Sequence, residues 1–265
     1  MPDSSAMISY KFAVLGDPIE HSRSPELHHA MLDITGLAGE YTRIRADEGV
    51  LEVEIERMRQ GWWNGLNVTM PLKAAAARLA DSTSPESARS NSVNTLTRIE
   101  SGIHGESTDA TSLRELIDSG RFDDRTSILV LGSGGAAAAS LSALDDREPV
   151  YVAARRSVAA DELTGRLGGE VVAWGTAVAG ALVVNTTPLG MDGETLPAGV
   201  LEVASGLIDL PYGDGETPAV LTARRRQIDV ADGHEFLLRQ AIASFRLWTG
   251  LIVEYHELME NLRKG

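Results

Sequence analysis

The sequence predicts a two-lobed α/β protein, on three observations. From Tyr10 to Arg78, apolar β-prone runs alternate with amphipathic helical patterns, the signature of strands and helices layered against each other. Ser127–Leu131 is a buried-type strand that runs directly into Gly132-Ser133-Gly134-Gly135-Ala136-Ala137 and an alanine-rich helix, which is the turn of a Rossmann-type dinucleotide-binding lobe. After Gly233, the residues Phe236, Leu237, Gln240, Ala241, Ser244, Phe245 and Trp248 recur at helical spacing, so the chain closes with helices. The expected division is a first lobe at 1–111, completed by a helical return at 233–265, and a nucleotide-binding lobe at 112–232.

The first lobe opens with a strand at Tyr10–Leu15 ended by Gly16-Asp17-Pro18. In His21-Ser22-Arg23-Ser24-Pro25, Ser24 is predicted to cap a helix with proline at its first position, and Leu27, Ala30, Met31 and Ile34 share one face. Capping leaves Ser22 unexplained, and two hydroxyls two residues apart on a turn after a strand suit a small anionic or polyhydroxy ligand. A strand near Tyr41–Arg45 and a charged helix near Val50–Gln60 follow, with Val50, Leu51, Ile55 and Met58 on its buried side. Trp62 and Trp63 read as core or rim packing.

Gly65-Leu66-Asn67-Val68-Thr69-Met70-Pro71-Leu72-Lys73 then reads as a short strand entering a helix continued by four alanines. Pro71 is predicted at the first helical position, which puts Lys73 in the first turn, where the helix dipole disfavours a cation. The chain has three lysines, Lys11, Lys73 and Lys264, against 21 arginines. Lysine can shed its proton near neutral pH and arginine cannot. A scarce lysine at an unfavourable position points to proton transfer, against the plainer alternative of a solvated helix lysine.

Beyond a polar loop at Ser82–Ser92, Val93–Ile99 reads as a strand with a turn at Ser101-Gly102. Ser112 and Glu115 carry a capping-box signature, which would set Asp109 just ahead of a helix start, where it reads equally as a second cap. In the glycine turn, Gly132 serves the tight turn, Gly134 the close approach of a pyrophosphate and Ala137 helix packing. The next strand, Val150–Ala154, ends in Arg155-Arg156-Ser157 where an NAD enzyme would place an acidic residue. Two guanidinium groups and a hydroxyl suit a 2′-phosphate, so the site is read as preferring NADP. Ala181–Met191 and Gly206–Tyr212 are further strands ending in polar turns, and such carboxyl-end loops line the ligand crevice of a parallel sheet.

Bulk properties narrow the classes. The formal charge of −14 opposes nucleic acid and anionic membrane partners. No cysteine is present, which excludes disulfides and thiolate chemistry. Six histidines show no ligand-type spacing, so no metal site is expected. No apolar run reaches about 18 residues, and the first nine residues show no targeting pattern. A cytoplasmic protein is expected.

Together these stretches resemble the shikimate dehydrogenase family. The resemblance rests on Ser22-Arg23-Ser24-Pro25, Asn67 to Lys73, Val93-Asn94-Thr95, Thr108-Asp109, Gly132-Ser133-Gly134-Gly135, Asn185-Thr186-Thr187-Pro188-Leu189-Gly190-Met191, Asp209 with Tyr212, and Gly233 with Gln240. It implies an NADP-linked enzyme interconverting shikimate and 3-dehydroshikimate, a step of aromatic amino acid biosynthesis. It further implies Lys73 and Asp109 as the catalytic pair, and Ser22, Ser24, Asn67, Thr69, Asn94, Tyr212 and Gln240 as the substrate set. Gly132, Ser133, Gly134, Gly135, Ala136, Arg155, Arg156, Ser157, Thr187, Leu210 and Gly233 are the implied cofactor set. The partner is a small molecule, and a homodimer is compatible with the reading. The chain departs from the family pattern at Asn91-Ser92, Ala110, Ala154 and His234-Glu235-Phe236, which leaves open a quinate or amino-shikimate dehydrogenase, or a catalytically silent NADP-binding regulator.

Overall fold

The computed structural model describes residues 9–122, 127–147, 149–213 and 215–264, so the opening stretch at 1–8 that bears on targeting lies outside the described residues. The elements in chain order are β1 (Tyr10–Gly16), α1 (Ser24–Thr35), β2 (Gly39–Arg45), α2 (Glu48–Arg59), β3 (Gly65–Val68), α3 (Lys73–Leu79), β4 (Ser82–Thr83), α4 (Pro85–Ser90), β5 (Thr95–Ile99), β6 (Gly102–Glu106) and α5 (Thr108–Asp118). They continue with β7 (Ile128–Leu131), α6 (Gly135–Ala143), β8 (Val150–Ala153), α7 (Ser157–Leu167), β9 (Glu170–Val172), β10 (Leu182–Asn185), β11 (Gly206–Asp209), α8 (Pro218–Arg225), β12 (Asp229–Ala231), α9 (Gly233–Thr249) and α10 (Tyr255–Lys264). No described helix is long and apolar enough to cross a membrane.

Two compact units form. The first takes Met1–Ser84, Val93–Thr108 and Ala241–Gly265, and the second takes Pro85–Ser92 and Asp109–Gln240. Residues 85–92, 109–111 and 233–240, which the sequence assigns to the first lobe, group with the second unit.

The first unit holds a mixed sheet ordered β2-β1-β3-β5-β6-β4. β1 runs parallel to β2 and β3, and β5 runs antiparallel to β3 and β6. Alternation along β1 sets the two faces. Ala13 and Leu15 join Leu51, Ile55 and Met58 of α2 and Ala75 and Ala76 of α3, while Phe12 stacks on Trp248 of α9 with ring centroids 4.7 Å apart. Gly65 permits that second contact, since a Cβ there would lie 2.2 Å from the Trp248 ring. The C-terminal half of α9 and α10 group with the first unit.

The second unit holds a parallel sheet ordered β12-β11-β10-β7-β8-β9, the doubly wound order whose direction reverses between β7 and β10. Its central strands are buried along their whole length and apolar up to the polar residues Asn185 and Asp209 that end β10 and β11, because both faces are covered. Ile128 and Val130 pack with Leu113, Leu141 and Phe236, and Leu129 and Leu131 pack with Val200, Leu207 and Val220.

Several local expectations are corrected. Pro71 does not open α3. Met70 and Pro71 occupy a turn closed by the Leu72 N–H donating to the Thr69 carbonyl at 2.9 Å, so Lys73 is itself the first helical residue. Ser24 is the first residue of α1 rather than its cap, which is Arg23 and makes no side-chain capping bond. The Ser112–Glu115 pair is not a cap either, because α5 starts at Thr108 and carries Asp109 within its first turn. The buried Ser112 hydroxyl has no partner among the described residues. Strand β6 was not foreseen, since Gly102-Ile103-His104-Gly105-Glu106 has weak strand propensity. Gly105 is needed there because a Cβ would meet Val93 at 2.9 Å.

Candidate active site

Within the first unit, the carboxyl ends of β1 and β3, the start of β5 and the end of β6 share one sheet edge, as the registers Leu15↔Val68, Asn67↔Thr95 and Thr95↔Glu106 require. Loops leaving that edge carry Ser22 and Ser24, Thr69 and Lys73, and Asn94. The backbone pins them together. Thr69 N–H donates to Leu15, Asp17 N–H to Met70, Val68 N–H to Asn94, Val93 N–H to Lys73 and Asn94 N–H to Glu106, all at 2.8–3.1 Å. Gly16 makes the approach feasible, since a Cβ there would stand 2.4 Å from the Thr69 methyl.

The side chains divide into two groups. Ser22 accepts the Ser24 N–H at 3.4 Å, and the two hydroxyls lie 3.2 Å apart. Arg43 donates twice to the Ser22 carbonyl and fixes this turn. Asn94 is buried, and its Oδ1 accepts the Thr108 N–H at 2.8 Å while its Nδ2 donates to Thr108 Oγ1 at 3.0 Å. That bond sets the start of α5, where Asp109 follows directly and is itself buried. Asn67 is a different case. Its Oδ1 accepts from the Tyr41 hydroxyl at 2.7 Å, and its Nδ2 lies within 3.1 Å of the Asn94 carbonyl, Thr95 Oγ1 and Ser244 Oγ. An amide has two hydrogens to give, so Asn67 is spent on internal bonds and belongs to the support of the site rather than to its binding surface. Tyr41, Thr95 and Ser244 are the residues that sequence reasoning missed. The available signal was Ser244, a hydroxyl one helical turn after Gln240 on an otherwise apolar stripe.

In the second unit, the implied cofactor residues leave the carboxyl edge of one sheet: Gly132–Ala136 after β7, Arg155–Ser157 after β8, Thr187 after β10, Leu210 after β11 and Gly233 after β12. Gly132 has φ +123°, and a Cβ would meet Thr186 Oγ1 at 2.4 Å, so its own fold demands glycine. Gly134 is the opposite. It caps α6 with φ −91°, no side chain serves as cap, and nothing lies within 4 Å of where a Cβ would project. The protein's packing gives no reason for glycine there, whereas a group lying against the helix start would.

Arg155 and Arg156 are exposed and form no ion pair among the described residues, while Arg45, Arg59, Arg78, Arg89, Arg114 and Arg121 are all paired with carboxylates. Both features fit a dinucleotide with an added phosphate. Gly233 packs against the chain after β11, where a Cβ would stand 2.2 Å from the Pro211 carbonyl oxygen. Tyr212 faces His234 with ring centroids 5.9 Å apart, and Gln240 donates to the Leu237 carbonyl at 2.8 Å.

Beneath the second edge sits Asp209, fully buried at the end of β11. It accepts from Asn185 Nδ2 at 2.7 Å and from the Thr217 hydroxyl. Asn185 Oδ1 in turn accepts the Thr187 N–H and hydroxyl at 3.1 and 2.6 Å. Burial, opposed by these bonds, pushes the Asp209 carboxyl up to about 6.

A doubly wound nucleotide-binding unit joined to a second α/β unit with a lysine-bearing sheet edge defines a pyridine-nucleotide dehydrogenase of the two-unit α/β kind. Residues 14–96 match the model of the shikimate dehydrogenase substrate binding domain. The chain is 35% identical over 249 residues to the shikimate dehydrogenase (NADP(+)) of Gluconobacter oxydans, covering 90% of this chain and 89% of that one. It is 38% identical over 266 residues to that of Methylococcus capsulatus, covering 95% of each. The crystal structure of a Thermus thermophilus shikimate 5-dehydrogenase in complex with NADP(H) and shikimate superposes with a TM-score of 0.87 at 32% identity, covering 96% of this chain and 99% of that one. The chain belongs to the shikimate dehydrogenase family.

Proposed function

We propose that this chain catalyses the reversible, NADP-linked oxidation of shikimate to 3-dehydroshikimate, with the second unit binding NADP. The observation that carries the reading is the edge of the first sheet. There a scarce lysine opens a helix beside two paired serine hydroxyls and an oriented asparagine, in a chain whose relatives are named for this activity. Bound NADP+ supplies the acceptor for the hydride that leaves the carbinol carbon. Lys73 Nζ takes the hydroxyl proton in that step and returns it in the reverse direction. Asp109 is the other member of the proposed catalytic pair and meets a ring hydroxyl. Ser22 and Ser24 hold the carboxylate, while Thr69, Asn94, Tyr212 and Gln240 fix the hydroxyls and the ring. The start of α6 receives the pyrophosphate, with Ser133, Gly135 and Ala136 around it, and Arg155, Arg156 and Ser157 receive the 2′-phosphate. Thr187, Leu210 and Gly233 line the nicotinamide end. On this reading the chain works in the cytoplasm on a small anion, without nucleic acid or membrane partners.

The test is reduced-nicotinamide absorbance with purified protein, offering shikimate and quinate, each with NADP and NAD. Shikimate with NADP should give the highest turnover. A comparable rate with quinate and NAD would reject the assignment, and no turnover in any arm would favour a silent nucleotide-binding protein.

A further inference from the structure

Two side chains outside the proposed binding set hold that set from within the first unit. Ser244 on α9 is fully buried, and its Oγ lies 3.0 Å from Asn67 Nδ2, 3.0 Å from Thr95 Oγ1 and 3.3 Å from Thr108 Oγ1. Asn67 Nδ2 can only donate, so the serine oxygen serves as an acceptor towards it, and the hydroxyl contacts to the two threonines can run in either direction. A hydroxyl at this position thus meets side chains from three other segments of chain.

Tyr41 on β2, also buried, sets the orientation of the shared amide. Its hydroxyl donates to Asn67 Oδ1 at 2.7 Å. A flipped amide would turn that oxygen against the Asn94 carbonyl, which Nδ2 now meets at 3.1 Å. The phenol ring is itself held flat against His28, with centroids 4.2 Å apart and planes 8° from parallel. The bonds continue from Thr95 and Thr108 to Asn94 Oδ1 at 3.3 and 3.2 Å, and Thr108 precedes Asp109.

We propose that Ser244 and Tyr41 are positioning residues for shikimate turnover: through Asn67, Thr95 and Thr108 they fix the orientation of Asn94 and of the Thr108–Asp109 step. This rests on the reading of the site given above. Neither residue touches substrate on that reading, so its effect is exerted on geometry, where small displacements are costly.

The experiment measures kcat and KM for shikimate and for NADP, at a temperature where each variant is folded by circular dichroism. Ser244→Ala should lower kcat/KM for shikimate about tenfold, the scale of one buried hydrogen bond, with the KM for NADP within about twofold of wild type. Ser244→Cys, which fills the space but is a poor hydrogen-bonding partner, should lose as much, and Ser244→Thr should recover most of the rate. Tyr41→Phe should lose a similar factor. Because both residues act through one amide, Tyr41→Phe with Ser244→Ala should lose less than the product of the single losses. An active wild type whose Ser244→Ala and Ser244→Cys variants keep full kcat/KM overturns the inference alone. So does a KM for NADP that rises as much as that for shikimate. A wild type inactive on shikimate overturns the functional reading and this inference with it.

Discussion

The two sheet edges solve the same problem with opposite chemistry. At the first edge, side chains do the organising: Asn67, Asn94, Thr95, Thr108, Ser244 and Tyr41 form a buried, uncharged network in which each hydroxyl and amide has partners. At the second edge the organising is done by missing side chains and by a buried acid. Gly132 and Gly233 exist because a Cβ would strike Thr186 or Pro211, and Asp209 ties Asn185 to Thr217. The difference matches what each edge is proposed to hold. A small ring with several hydroxyls is recognised by side chains of fixed orientation, whereas a pyrophosphate is met by backbone N–H groups at a helix start.

Removing the one side chain at the first edge proposed to move a proton should have the largest effect. Lys73→Ala should lower kcat by about 10³-fold, within the range for loss of a positioned acid or base, while the KM for NADP stays within about twofold. Full activity in that variant would remove the lysine from the mechanism. The second edge should respond in the other parameter. Replacing Arg155 and Arg156 by alanine should raise the KM for NADP by roughly 10–100-fold, the scale of lost charge-assisted bonds, and that for NAD by less than about threefold. Steady-state titrations of both cofactors check this, and equal weakening would undo the 2′-phosphate assignment.

The second edge was the more legible in the sequence. A glycine turn between an apolar strand and an alanine helix has one geometry, and the arginine pair follows at a fixed place in the next strand–helix junction. At the first edge, Lys73 stood out by its rarity, but the network beneath it did not. Ser244 meets Asn67 across 177 residues of chain, and no local pattern announces that pairing. Local capping signals also misled. Ser24, Pro71 and Ser112 each carry good helix-start chemistry, yet α1 takes Ser24 as its first residue rather than its cap, α3 starts two residues after Pro71, and α5 starts well ahead of Ser112. The Thr108 N–H is taken by Asn94 Oδ1 at 2.8 Å, which starts α5 four residues before Ser112. β6 was missed because its glycines are dictated by packing, Gly105 against Val93 and Gly102 against Asp81, which propensity cannot see.

The smallest expected effect sharpens the contrast, because each unit buries one group whose titration opposes the other's. His28 is fully buried, and burial, with a lesser contribution from His29, lowers its pKa from 6.5 to about 3. The unfolded chain therefore binds a proton below pH 6.5 that the folded chain refuses, and stability is lost as pH falls from about 6.5 towards 3. Asp209 behaves oppositely. Its folded pKa of about 6 lies above the ordinary 3.8, so the folded chain holds a proton that the unfolded chain has lost, and stability is lost as pH rises from about 4 to 6. Each contribution is on the order of a few kcal/mol. Other carboxylates titrate in the same window, so the informative quantity is the melting temperature of each variant minus that of wild type. His28→Phe keeps an aromatic plate against Tyr41 and sacrifices no hydrogen bond among the described residues, since neither ring nitrogen has a partner. Its difference should grow more favourable as pH falls from 6.5 to 4. For Asp209→Asn the difference should grow more favourable as pH rises from 4 to 6, whatever its constant offset from the altered bonds to Asn185 and Thr217. Two flat difference curves would mean that neither buried group keeps its unusual protonation state, and the contrast between a neutral first edge and an acid-tied second edge would lose its electrostatic basis.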